Sequence, residues 1–239
     1  MSVGWTQVAL AGVWGGLVAV ERKAFLQAMF SRPLVSATVM GLLLNDVPSG
    51  LFVGMLLELF HLGTANLGAS LPDNDTLSAT GTSAAAATMA AATGAGSTPA
   101  LWSLAVLLFV GLGRVGQLVD RALERYSARL ARKAMASAEA GQLTRAMQQN
   151  LWGMWPHFVL FGAMTASCAL AGFFIGPLLE RMPLPLLRGL AWAYPAMASV
   201  AASLAAKGSH ARRAPMYAGV GAAVVTVVVV LLTTLRGCS

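Results

Sequence analysis

Charge is what this chain has least of. Of its 239 residues, 16 are Lys or Arg and 9 are Asp or Glu, so 10% are charged while 57% are hydrophobic. A soluble domain carries roughly a quarter charged residues. Too little charge is present here to cover a water-facing surface, and the composition indicates an integral membrane protein. Cysteine is scarce as well: Cys168 and Cys238 make no disulfide framework, and Cys168, inside an apolar segment, reads as a packing residue. The three histidines, His61, His157 and His210, share no motif. There is no phosphate-binding glycine loop, no metal-ligand cluster and no nucleophile elbow. The sequence therefore implies no cofactor, no metal site and no catalytic residue on this chain. No basic segment precedes the first apolar run, and Glu21-Arg22-Lys23 follows it instead of a small-residue cleavage site, so no cleavable signal peptide is expected. The net charge of +7 reads as Lys and Arg retained in cytoplasmic loops rather than as a nucleic-acid surface.

What is present is a series of apolar segments. Residues 3–20 are long enough to cross a bilayer core of about 30 Å. Residues 33–44 are short for a span and suit a re-entrant or broken helix. Asn45-Asp46-Val47-Pro48-Ser49-Gly50 reads as a turn. From Gly81 to Pro99 nearly every residue is Ala, Gly, Ser or Thr, read as a tightly packed bundle helix in preference to a flexible linker. Spans are expected at 101–119, 152–175, 189–206 (interrupted by Pro195) and 215–235. Residues 120–150 form a polar helical segment in which Arg121, Arg125, Arg129 and Arg132 recur on one face. It reads as a solvated or membrane-surface face, with a docking surface as the alternative. This segment and the basic loop at 207–213 are two spans apart and share the cytoplasmic side. The path from 33 to 100 then makes an odd number of crossings. The expected architecture is an all-α polytopic membrane protein, a single domain over 1–239. Its first hundred residues form a core of short re-entrant or broken helices, and conventional spans follow.

Polar chemistry concentrates in 50–80. Glu58 lies in an apolar helix, where a charge costs about 2.5–3.5 kcal/mol on insertion scales. An Arg or His partner, a water-filled cavity or sugar hydroxyls would offset that cost. His61, three residues on, shares its face, and a structural Glu–His pair is the plainer alternative. Asn66 falls in Gly63-Thr64-Ala65-Asn66-Leu67-Gly68, where the helix pattern stops, as a midplane ligand or as a cap to the break. Asp73-Asn74-Asp75-Thr76 reads either as part of the site or as a surface turn and helix N-cap. Gln27 is a further polar candidate, or an interfacial residue only.

The ordered set Glu21-Arg22, Gln27, Ser31-Arg32-Pro33-Leu34, Asn45-Asp46, Gly50, Gly54, Glu58, Gly63, Gly68, Pro72 and Asp75 resembles the enzyme IIC subunit of the mannose/fructose/sorbose class of the bacterial sugar phosphotransferase system (PTS). Asn45 stands where the family's turn has Gly. The resemblance covers about sixty residues by motif and the rest by length and span pattern. It implies a multi-pass inner-membrane permease subunit that takes a hexose or amino sugar from the periplasm. It implies a membrane partner, IID, in a trimer of IIC–IID pairs, and soluble IIA and IIB subunits that carry the phosphoryl chemistry. It associates the sugar site with Gln27, Glu58 and Asn66, with Asp75 beside them; His61 joins this set through its shared face with Glu58. Two other readings stay open: a degenerate or regulatory subunit that senses PTS state without transport, and an unrelated membrane scaffold.

Overall fold

A computed structural model describes residues 4–23, 27–62, 73–94, 96–206 and 213–236. Ten α-helices account for nearly all of them, and there is no strand among the described residues. The helices are α1 (Trp5–Lys23), α2 (Pro33–Leu43), α3 (Val47–Leu62), α4 (Asp75–Thr93), α5 (Pro99–Phe109), α6 (Leu112–Glu139), α7 (Leu143–Trp152), α8 (Trp155–Glu180), α9 (Leu184–Ala205) and α10 (Ala214–Arg236).

The small-residue stretch is a helix, and it is the axis of the bundle. α4 is buried continuously from Thr76 to Ala90 and packs against α8, α2, α3, α5, α1 and α6. Apart from Leu77 and Met89, the buried side chains are no larger than Thr, which lets those neighbours come close. Several of its hydroxyls bond back into their own helix: Thr80 Oγ1 donates to the Thr76 carbonyl at 2.8 Å and Thr88 Oγ1 to the Ala84 carbonyl at 2.9 Å. Such back-bonding gives buried hydroxyls a partner inside the helix; among the described residues Thr82 Oγ1 is buried without one. α4 begins earlier than the composition suggests, because Asn74 caps it by accepting from the Leu77 N–H at 2.8 Å. It ends at Gly94, in the left-handed conformation at φ 64°.

α2 and α3 have 11 and 16 residues. At 1.5 Å per residue neither reaches across a bilayer core of about 30 Å. They form the short-helix hairpin expected of the N-terminal half. A methyl group on Gly41 would sit 3.0 Å from the Gly50 Cα, and one on Gly54 would sit 3.1 Å from the Pro33 carbonyl, so the glycines are what allow the two helices to touch. The turn between them is shorter than expected, since α3 already starts at Val47. Asn45 stands there at φ 61°, and Asn is one of the few residues besides Gly that adopts this region readily.

Three other expectations shift. The span 101–119 divides at Val110–Gly111 into α5 and the start of α6. The segment 120–150 bends at Gly141 (φ 75°) into α6 and α7. Pro195 does not interrupt α9, because Pro in a membrane helix is tolerated where neighbours satisfy the freed carbonyl. Among the described residues, two helical stretches, Pro99–Glu139 and Leu143–Glu180, carry apolar windows long enough to cross a membrane. α9 and α10 pair as a hairpin, with α9 against α3 and α5.

Gly172 on α8 lies against Ala85 and the Thr88 hydroxyl of α4. Gly172→Val is expected to destabilise the bundle by about 1–3 kcal/mol, as overpacking does, and to lower the melting temperature in detergent. Gly189→Ala, with open space around it, should leave it unchanged or raise it slightly. At the α2–α3 turn, Asn45→Gly should be neutral and Asn45→Val should cost about 1–2 kcal/mol, read in the same melting experiment.

Candidate functional site

The end of α1 and the start of α4 meet the connector before α2. Together they enclose a polar cavity of about 270 Å³ lined by Glu21, Arg22, Gln27, Met29, Ser31, Arg32, Asp75 and Thr76. The connector is pinned on both sides. The Ser31 N–H donates to Glu21 Oε2 at 2.9 Å, and Thr76 Oγ1 donates to the Ser31 carbonyl at 3.0 Å. Gln27 and Met29 hold φ of 47° and 65°. Non-glycine residues in that region persist only where the surroundings impose them.

Charge in the cradle is organised by Arg22. Its guanidinium lies 3.2 Å from Asp75 Oδ1 and 3.2 Å from Asp120 Oδ2. Asp120, on α6, is only 1% exposed. It also accepts from Asn74 Nδ2 at 2.8 Å and lies 3.7 Å from Lys23. Arg22 thus ties the ends of α1, α4 and α6 together. Glu21 is buried as well, with one carboxylate oxygen on the Ser31 N–H and no hydrogen-bond donor to Oε1 among the described residues.

Glu58 has the Arg partner that an apolar helix requires of it. Arg32 Nη1 lies 2.9 Å from Glu58 Oε1, and the Leu34 N–H donates to Oε2 at 3.2 Å. Leu34 is in the first turn of α2, where backbone N–H groups lack helical acceptors and the helix dipole favours an anion. Glu58 therefore caps α2 from α3. It does not line the cavity itself; Arg32 joins it to the cavity wall. His61 Nδ1 donates to the Leu57 carbonyl at 2.8 Å, which holds the imidazole against its own helix one turn beyond Glu58.

The fold brings Gln27 and Asp75 into one cavity and reaches Glu58 through Arg32. Asn66, with Gly63, Gly68 and Pro72, lies outside the described residues. Asp75 and Thr76 stand at the start of α4 and also line the cavity, so the helix-start reading of that stretch holds. Sequence reasoning passed over Glu21 and Asp120 as cradle or anchor residues, whereas Asn74 is the helix N-cap that one reading of its stretch expected. A signal for Asp120 was available: Gly113, Gly116, Asp120 and Leu123 are the buried residues of α6, and their spacing of three and four marks one seam. The basic residues Arg121, Arg125, Arg129 and Arg132 are exposed on α6, as their periodicity requires.

Comparison with known proteins agrees with these features. The family model for the PTS system sorbose-specific IIC component matches residues 5–235. A curated relative, the PTS system sorbose-specific EIIC component of Lacticaseibacillus casei, is 31% identical over 80 residues, which are 34% of this chain and 28% of that protein. The matched stretch thus spans less than a third of that relative's length. Among solved structures, one described as a membrane protein aligns at TM-score 0.68 and 19% identity over 99% of this chain and 95% of its own. The mannose transporter ManYZ in complex with microcin E492 aligns at TM-score 0.59 and 19% identity, over 100% of this chain and 97% of its own. At that identity the likeness to both structures is one of fold. The model match over nearly the whole length identifies the chain as a member of the sorbose-specific IIC component family, in the mannose class of the PTS.

Proposed function

We propose that this chain is the sugar-binding permease subunit of a multi-pass inner-membrane transporter, and that the cavity between α1, α4 and the α2 connector receives the sugar. The observation that carries this reading is a 270 Å³ cavity walled by two acids, two Arg side chains, an amide and two hydroxyl residues in a chain with 10% charge. Its size is near the lower end of small-molecule pockets, about 300 Å³. Carboxylates, amides and guanidinium groups together offer the several donors and acceptors that a polyol needs. Gln27 and Asp75 bind hydroxyls directly in this reading. Glu58 acts with Arg32, His61 extends the site from the end of α3, and Asn66 contributes a further amide. A IID subunit shares the transport path, in a trimer of IIC–IID pairs, and IIA and IIB supply the phosphoryl group, so the chain itself is not an enzyme.

Binding of hexoses and amino sugars to the purified chain, with and without its IID partner, tests the proposal. Asp75→Asn and Gln27→Ala should each weaken the best sugar at least tenfold while the protein stays monodisperse. Unchanged affinity in both would remove the cavity from the transport path. Glu58→Gln keeps shape and an acceptor for the Leu34 N–H but loses the charge that pairs with Arg32. It should reduce phosphorylation-coupled uptake far more than it reduces the amount of inserted protein; normal uptake would make the Glu58–Arg32 pair purely structural.

A further inference from the structure

α1 and α8 cross closely where their residues are small: a methyl group on Gly12 would sit 3.3 Å from the Gly162 carbonyl, and one on Gly16 would sit 2.7 Å from the Phe158 carbonyl. Past that crossing the side chains become large and the helices part. They leave an apolar groove of about 470 Å³ lined by Leu17, Val20, Leu151, Met154, Trp155 and Phe158, of which Leu17, Leu151 and Trp155 are well exposed. Val20 and Met154 also line a second cavity, of about 260 Å³, whose walls carry Lys23, Glu124, Ser127, Gln149 and Asn150. The two spaces adjoin through those shared residues, an apolar trough running into a polar chamber. None of this belongs to the sugar cradle.

We infer that the trough and chamber bind a phospholipid whose headgroup ends in a primary ammonium. An acyl chain lies along Leu17, Val20, Trp155 and Phe158. The phosphate meets Lys23 and the Asn150 amide, and the ammonium meets Glu124. Trp152 and Trp155 stand exposed beside the chamber, as aromatic residues do at the level of lipid headgroups. Charge selects the headgroup. Lys23 Nζ lies 3.1 Å from Glu124, whose side chain is 46% exposed, and 3.7 Å from Asp120. The chamber thus presents the Lys23 ammonium beside the Glu124 carboxylate, the complement of a phosphate next to an ammonium. An anionic headgroup with no ammonium brings only like charge to Glu124. A trimethylated ammonium keeps its charge but has no N–H to donate, and so forgoes a charge-assisted hydrogen bond.

The test uses the intact purified chain, stripped of lipid in detergent. It is titrated with phosphatidylethanolamine, phosphatidylcholine and phosphatidylglycerol of identical acyl chains. Retained lipid is counted by native mass spectrometry, and thermal unfolding is followed in parallel. Phosphatidylethanolamine should be retained at least fivefold over the other two and should raise the melting temperature most. Glu124→Gln removes an exposed ion pair that contributes little to folding, so its lipid-free melting temperature should match the parent while the preference for phosphatidylethanolamine disappears. Equal retention of the three lipids overturns the inference, since the groove would then hold ordinary bilayer lipid. A preference for phosphatidylglycerol overturns it in favour of capture by the basic face of α6, and an unchanged preference in Glu124→Gln removes the chamber from recognition.

Discussion

The Arg22 guanidinium is the point on which this end of the bundle turns. It sits between Asp75 at the start of α4 and Asp120 on α6, 3.2 Å from each. A carboxylate as buried as Asp120 is destabilising unless it is paired and hydrogen-bonded. Here Arg22, Lys23 and the Asn74 amide share the task. Removing one partner from such a network typically costs about 3–5 kcal/mol, because the charge left behind is uncompensated. The same contacts fix the mouth of the cradle, since Asn74 is the cap of α4 and Asp75 its first residue. Helix start, ion network and cavity wall are one structure.

α4 makes that arrangement possible. Its small side chains let six neighbours pack around one helix, and the hydroxyls of Thr80, Ser83 and Thr88 donate to carbonyls within it. A helix so featureless along its length has its charged residue at the start, where α1 and the α2 connector approach. The α2–α3 hairpin then contributes from one side through Arg32 and Glu58. An apolar helix can carry Glu58 because the first turn of a neighbouring helix supplies both a cation and a free N–H.

Much of this was legible in the sequence, for physical reasons that differ by element. α1, α10 and the amphipathic α6 follow from apolar length and from the arginine spacing at 121, 125, 129 and 132. The hairpin follows from two short apolar runs with glycines, and the packed state of α4 follows from its small residues. The break at Val110–Gly111 and the continuity of α9 through Pro195 did not follow. Whether a breaker breaks depends on what neighbouring helices offer the freed carbonyl, which is a tertiary matter. In the candidate site, Gln27, Glu58 and Asp75 stood out because polar residues are rare in this chain. Their partners did not: Arg22 and Arg32 read as flanking positive charge, and Asp120 as part of a solvated helix. Each meets its partner 26 or more residues away, and no local pattern encodes such a meeting.

The most direct test of the central claim is sugar protection of introduced thiols. Met29→Cys and Ser31→Cys on the cradle wall, and Ala128→Cys on the exposed face of α6 as reference, would be labelled with a small maleimide in membranes containing the full transporter. The account predicts that the transported sugar slows labelling at positions 29 and 31 and leaves position 128 unchanged. Equal labelling rates with and without sugar at both cradle positions, in membranes that still take up that sugar, would contradict it.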